Sequence, residues 1–231
     1  MQLKLLPDRF PPLSGYDIAA RYEPARRLGG DFYDVIPLED GRFGLTIADV
    51  SDKGMPAALY MALTRSLLFA EARRKRSPAA VLASVNELLL ALGEPGMFVT
   101  AFYGIVDSLA RRLTYACAGH DRPVLLHGQN GRFLEGEGIP LGLFGGEEFH
   151  LSEQETDFLP GDRLVLFTDG LTDVLAPNGQ LFDRQRLKRL FEAHAGLPPA
   201  EICQAVFADL LAYQGSAEQV DDMAMLVVGA L

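Results

Sequence analysis

Four acids in this chain stand in a setting that suggests chemistry: Asp31, Asp49, Asp169 and Asp221, the last with Asp222 beside it. Each lies at the end of a run that reads as a core strand. Asp31 follows Gly29-Gly30 and leads Phe32-Tyr33-Asp34-Val35-Ile36, while Asp49 closes Phe43-Gly44-Leu45-Thr46-Ile47-Ala48. Asp169 closes Leu164-Val165-Leu166-Phe167-Thr168, and Asp221-Asp222 leads Met223-Ala224-Met225-Leu226-Val227-Val228. A carboxylate where a core strand opens into a loop is held rigidly and still reaches solvent. Core strands pack side by side, so their ends can converge on one rim. Oxygen ligands without cysteine or histidine spacing suit magnesium or manganese rather than zinc. Carboxylates gathered without a cation repel one another. A pair of divalent ions relieves that repulsion and serves in-line displacement at phosphorus. Taken singly, each acid reads as a turn or cap residue; four in one kind of position favour the metal reading.

The elements that must position these acids follow from patterning. Residues 16–22 and 29–36 read as strands, and Asp40-Gly41 turns into the strand that ends at Asp49. Ser51, Asp52 and Gly54 make a loop, and a helix is expected over 55–75, ending in Arg73-Arg74-Lys75-Arg76. Basic residues at a helix C-terminus suit the macrodipole and by themselves require no partner. Ser77-Pro78 caps a second helix over 79–92, closed by Gly93. Strands follow at 98–106, 112–118, 123–127 and 132–134, then an apolar, glycine-dense loop at 136–146 that is expected to pack rather than link. After the strand ending at Asp169 come helices over 183–193 and 198–213 and a last strand from Met223. This order of elements is α+β with segregated layers. Pro7, Pro11 and Pro12 mark residues 1–14 as an arm, and 15–231 reads as one domain.

Composition narrows the class. Of 231 residues 48% are hydrophobic and 23% charged, as in ordinary globular proteins, and the net charge of −10 argues against nucleic acid as a partner. The two cysteines, Cys117 and Cys203, lie in apolar surroundings and read as buried thiols. No apolar run approaches the ~18 residues of a membrane span, and the N-terminal residues lack a signal-peptide core. A cytoplasmic protein is expected.

Seven short motifs fall in one order: Gly29-Gly30-Asp31-Phe32-Tyr33-Asp34, Asp40-Gly41-Arg42, Ala48-Asp49-Val50-Ser51-Asp52-Lys53-Gly54 with Ala57-Ala58-Leu59, Ala118-Gly119-His120, Pro140-Leu141-Gly142, Phe167-Thr168-Asp169-Gly170 and Asp221-Asp222-Met223. In them the chain resembles the bacterial metal-dependent serine/threonine phosphatases of the PPM superfamily, SpoIIE/RsbU type. The resemblance covers nearly the whole chain. It implies a four-layer α-β-β-α sandwich, two central antiparallel sheets flanked by helices. It also implies two Mn²⁺ or Mg²⁺ ions, with Asp49 bridging both and the Val50 carbonyl as a further ligand. Asp169 and Asp221 would ligate one ion directly, and Asp31 would hold the other largely through water. Asp49, Asp169 and Asp221 are thereby the expected catalytic residues. The reaction implied is hydrolysis of phosphoserine or phosphothreonine by a metal-bridging hydroxide, without a phosphoenzyme. The substrate implied is a small regulatory phosphoprotein of the STAS type, an anti-sigma-factor antagonist. Family members carry an upstream sensor domain or answer to an activator, and the stretch 2–7 resembles the tail of a joining helix.

Some residues depart from the family pattern or admit a second role. Asp52 stands where members commonly carry glycine, Ala224 and Met225 replace the usual threonine, and Ser51 takes the place of a histidine found in animal members. None of these removes a metal-binding carboxylate. Asp173 is a candidate for a weak third ion, and Asp34 for a metal contact or a turn cap. Arg26 and Arg27 could meet a phosphate bidentately. His120 reads as a strand-end histidine with a satisfied hydrogen bond, and neither Ser51 nor Cys117 has a base beside it for nucleophilic chemistry. Two other functions compete with the phosphatase. One is a catalytically weak module of the same fold that sequesters a partner, motivated by Asp52 and the missing threonine. The other is a two-metal phosphodiesterase.

Overall fold

The apolar runs that end at Asp49, Asp169 and Asp221 become inner strands of two five-stranded antiparallel sheets. The structure, a computed structural model, describes residues 6, 7, 9–26 and 28–231. Residues 1–5, Asp8 and Arg27 lie outside the described residues, and with them most of the expected joining-helix tail. The described part of the arm, 9–14, forms neither helix nor strand. The chain divides into two compact units. Among the described residues no helix is long and apolar enough to cross a membrane.

The first unit comprises Met1–Pro11, Leu28–His120 and Glu135–Phe158. Its strands are β2 (Phe32–Pro37), β3 (Arg42–Val50), β4 (Val99–Asp107), β5 (Arg112–Ala118) and β8 (Glu153–Asp157), in the order β2-β3-β4-β5-β8. Helices α1 (Met55–Ala72) and α2 (Pro78–Leu92) pack on this sheet. Ser77 caps α2 as the sequence suggests, its hydroxyl accepting from the Ala80 N–H at 3.3 Å. A second cap is not legible in sequence: the Glu153 carboxylate on β8 accepts from the Ala79 N–H at 3.1 Å. An acid at that end also meets the positive pole of the helix dipole. β8 itself is unexpected. Glu153-Gln154-Glu155-Thr156-Asp157 has no apolar alternation because it is an exposed edge strand, held by backbone pairing to β5. The glycine-dense loop does pack, with Leu141 fully buried and bonded both ways to the Val99 backbone.

The second unit comprises Pro12–Arg27, Asp121–Leu134 and Leu159–Leu231. Its strands are β1 (Tyr16–Glu23), β6 (Val124–His127), β7 (Asn130–Phe133), β9 (Arg163–Phe167) and β10 (Met223–Ala230), ordered β1-β10-β9-β6-β7. Helices α3 (Arg184–His194) and α4 (Pro199–Gln214) cover one face. Met223, Met225 and Val227 alternate along β10 and join Phe167, Phe191, Val206 and Phe207 in the core beneath those helices. The intervening Ala224, Leu226 and Val228 are buried as well, which is why the strand reads as a continuous apolar run. Two antiparallel sheets with two helices on each are what the resemblance implies.

Asp34 joins β2 to α1. Its Oδ2 lies 2.7 Å from Arg65 Nη2, and its Oδ1 accepts from the Val35 N–H. Burial nonetheless raises its pKa above the ordinary 3.8, desolvation outweighing the attraction of Arg65. The folded protein therefore binds the proton more tightly than the unfolded chain, and ionised Asp34 lowers stability at neutral pH. That cost disappears as pH falls through the raised folded value toward 3.8. Urea midpoints of the wild type and Asp34→Asn should thus diverge in favour of the wild type as pH is lowered from neutral into the carboxylate range. A constant difference would mean that Arg65 cancels the desolvation.

Candidate metal centre

Three of the expected ligands meet within the first unit. β2 and β3 pair Phe32 with Ala48. Extending that register one step beyond the start of β2 sets Asp31 opposite Asp49, and a second step sets Gly30 opposite Val50. The approach is close: a Cβ at Gly30 would stand 2.8 Å from the Val50 carbonyl oxygen, so only glycine lets the strands meet here. β3 and β4 in turn pair Asp49 with Thr100. Directly opposed residues project to the same face. Asp31, Asp49 and Thr100 therefore form a row across three strands, spaced by about 4.8 Å from strand to strand. Asp31 is buried and Asp49 partly so.

The surroundings of this row are tied down. His120 Nδ1 lies 2.9 Å from Thr100 Oγ1, and the Cys117 thiol donates to the His120 carbonyl. His120 is thus a buried, hydrogen-bonded strand-end histidine. Ser51 is occupied as well. Its N–H donates to the Phe98 carbonyl and its hydroxyl accepts from the Phe98 N–H, both at 2.9 Å, which pins the loop after Asp49. Asp52 has φ +76°, a left-handed conformation that explains why glycine suits this position. Its carboxylate compensates in part by accepting from the Lys53 N–H at 2.7 Å.

Two more expected ligands meet within the second unit. β9 ends at Phe167, and after Thr168 a short 3₁₀ turn, Asp169–Leu171, begins with the acid. The Asp169 carbonyl accepts from the Thr172 N–H, the Thr172 hydroxyl and the Asp173 N–H, so the turn is rigid. At Gly170 a Cβ would stand 1.8 Å from the Asp222 carbonyl oxygen and 3.4 Å from the Asp221 carbonyl carbon. This approach sets the Asp169 turn directly against Asp221. The neighbouring Asp222 serves the scaffold, its carboxylate accepting from the Ala25 N–H at 2.8 Å and the Tyr22 hydroxyl at 3.3 Å. Asp221 stays partly exposed. Thr168 holds the start of β10, its hydroxyl accepting from the Ala224 N–H at 3.0 Å.

Within each unit, among the described residues, no three histidine, cysteine, aspartate or glutamate side chains group so as to hold a metal ion. The expected ligands are divided between the units, Asp31, Asp49 and Val50 in the first, Asp169 and Asp221 in the second. Their chemistry fits a hard divalent cation, since every donor is a carboxylate or carbonyl oxygen. The Gly30 contact also shows the backbone beside Val50 kept clear of side chain. Asp34 is engaged by Arg65, Asp173 accepts from the Thr172 hydroxyl at 3.3 Å, and Arg26 is exposed. Thr100, missed by sequence reasoning, enters only through strand register. The tight fit at Gly170 shows in sequence only as the dipeptide Asp169-Gly170.

Two five-stranded antiparallel sheets with paired helices, and acids at the strand ends, define a phosphatase domain of the PP2C, or PPM, class. The profile of the Stage II sporulation protein E (SpoIIE) family matches residues 39–230, and the chain belongs to that family. It is 30% identical to Protein IcfG of Synechocystis sp. over 99% of its own length and 40% of the relative's. It is also 30% identical to the phosphoserine phosphatase RsbU of Bacillus subtilis, over 99% of the chain and 67% of RsbU. The chain thus spans well under half of the first of these curated relatives and about two thirds of the second. Among solved structures, the SiaA-PP2C domain of Pseudomonas aeruginosa superposes with a TM-score of 0.85 at 28% identity, covering 98% of this chain and 91% of that one. The catalytic domain of the serine/threonine phosphatase PstP, solved with two manganese ions, shares the fold at a TM-score of 0.65 and 18% identity, covering 93% of this chain and 97% of that one.

Two substitutions test this geometry. Gly170→Ala should destabilise the protein by about 1–3 kcal/mol or more, because the new methyl meets backbone that cannot rotate away; an unchanged thermal midpoint would contradict the contact. Asp52→Gly should leave stability unchanged or raise it by up to about 1 kcal/mol, by relieving the left-handed residue. Thermal unfolding measures both.

Proposed function

We propose that residues 15–231 act as one catalytic domain, a Mn/Mg-dependent protein phosphatase that hydrolyses phosphoserine or phosphothreonine on a small regulatory protein. The observation that carries this reading is the pair of glycine-enforced approaches, which line up Asp31 with Asp49 and Asp169 with Asp221. Family membership and the RsbU likeness over the whole chain support it. Asp49 would bridge two divalent ions, with the Val50 carbonyl, Asp169, Asp221 and, largely through water, Asp31 completing the set. When bound, such ions lower the pKa of water and neutralise phosphoryl oxygens. The protein's own part is to hold these carboxylates ionised and fixed. Thr100 and His120 stiffen the strand beside Asp49, and the Asp222 anchor fixes the backbone of Asp221. Asp173, next to this turn, remains the candidate for a weak third ion. A phosphorylated STAS-type anti-sigma-factor antagonist is the substrate we favour, under the control of a sensor segment or activator, as the SpoIIE/RsbU resemblance implies.

The reading as an inactive binding module draws support from neither departure. Asp52 occupies a position of left-handed backbone without displacing any ligand, and Thr168 takes the Ala224 N–H where the family pattern would place another threonine nearby. The test is manganese-dependent hydrolysis of p-nitrophenyl phosphate. Asp49→Asn should lower the rate at least about a hundredfold, through loss of the bridging carboxylate, and a phosphorylated STAS protein should be dephosphorylated by the wild type alone. Faster cleavage of bis-p-nitrophenyl phosphate than of the monoester would instead identify a phosphodiesterase.

A further inference from the structure

The basic run after α1 has a second property that the helix dipole does not explain. α1 ends at Ala72 with Arg73 as its C-cap, so Arg74, Lys75 and Arg76 lie beyond the last turn rather than within it. These residues and Arg42, at the start of β3, surround a pocket of about 240 Å³ in the first unit, floored by Ala72 and Ile105. Acids nearby offset only part of the charge. Arg74 lies 3.2 Å from Glu71, Arg42 lies 3.6 Å from Asp40, and Glu39 lines the rim. The Arg73 guanidinium sits 5.7 Å from the centre of the Phe69 ring. Among the described residues Lys75 and Arg76 have no acid within ion-pair distance, and both are exposed. Five cations against Glu39, Asp40, Glu71 and Asp107, the cross-strand partner of Arg42, still leave a local positive surplus on a chain whose net charge is −10.

Gathered like charges repel, and an anion seated among them removes that cost. Guanidinium groups offer paired donors that match phosphate oxygens, and several in one concavity suit adjacent phosphates better than a single one. Within the first unit the pocket is also remote from Asp49. Arg42 and Asp49 lie seven residues apart on β3, about 23 Å along an extended strand. The 18 residues of α1 likewise span about 27 Å between the loop after Asp49 and the basic run.

We propose that this pocket is a second anion site, binding the diphosphate or triphosphate group of a small polyphosphorylated molecule. A ligand there would clasp the start of β3 to the end of α1. The test is calorimetric titration of the full chain with methylenediphosphonate, which is not hydrolysed, at low ionic strength. Saturable binding is expected, weakened at least tenfold in Lys75→Ala/Arg76→Ala, unchanged in the control Arg189→Ala and restored in Lys75→Arg/Arg76→Lys. Binding should also fall steeply with added salt. Absence of binding by the wild type, or equal binding by the double alanine variant, would overturn the proposal and, in the second case, place the anion elsewhere. Retention on vesicles containing phosphatidylglycerol without binding of free diphosphonate would overturn it too, in favour of a membrane-facing patch.

Discussion

Two places where backbone meets backbone without an intervening side chain underlie the metal centre proposed for this protein. At Gly170 the chain passes so close to the Asp222 carbonyl that a single methyl would lie 1.8 Å from it. At Gly30 the corresponding gap to the Val50 carbonyl is 2.8 Å. In both cases the glycine is the neighbour of an acid, and the residue it touches is an acid or follows one. Absence of a Cβ is therefore the device by which carboxylates distant in sequence become neighbours, and the strands that carry them hold the arrangement rigid.

The acids so gathered are not equivalent, and hydrogen bonding sorts them. Asp222 is committed to the end of β1 through Ala25 and Tyr22, and Asp34 to α1 through Arg65. Each is a buried carboxylate with a structural partner, the usual condition for burying a charge. Asp49, Asp169 and Asp221 keep partial exposure at strand ends. Adjacent acids in one motif, such as Asp221 and Asp222, thereby differ: Asp222 is buried and anchors the end of β1, while Asp221 is partly exposed and accepts from the Asp222 N–H.

Neutral groups complete the support. The Ser51 hydroxyl closes the loop after Asp49 on Phe98, Thr100 carries His120, and the Thr168 hydroxyl accepts from the Ala224 N–H of β10. None of the three needs to take part in bond making for its loss to be felt, because each limits the motion of a segment that bears an acid. A surplus of positive charge collects in the first unit past the end of α1, around a concavity with Glu39 on its rim.

Much of this was legible in the residues themselves. The inner strands announced their burial as unbroken apolar runs, Ser77-Pro78 marked a helix start, and the four strand-end acids declared the oxygen chemistry, because burial and capping act on neighbours in sequence. What local pattern could not carry was set by pairing between distant segments. β8 stayed hidden because an exposed edge strand needs no apolar face, only a partner backbone. The helix α1 was expected to run to residue 75, yet it stops at Ala72, and only that stop opens the basic pocket. Thr100 gained its place beside Asp49 from register alone, and nothing but the folded chain could show that Asp222 is anchored to Ala25 and Tyr22, since those hydrogen bonds join residues 197 and 200 positions apart. Residue type determined what each group could do; tertiary pairing decided which groups stand close enough to do it together.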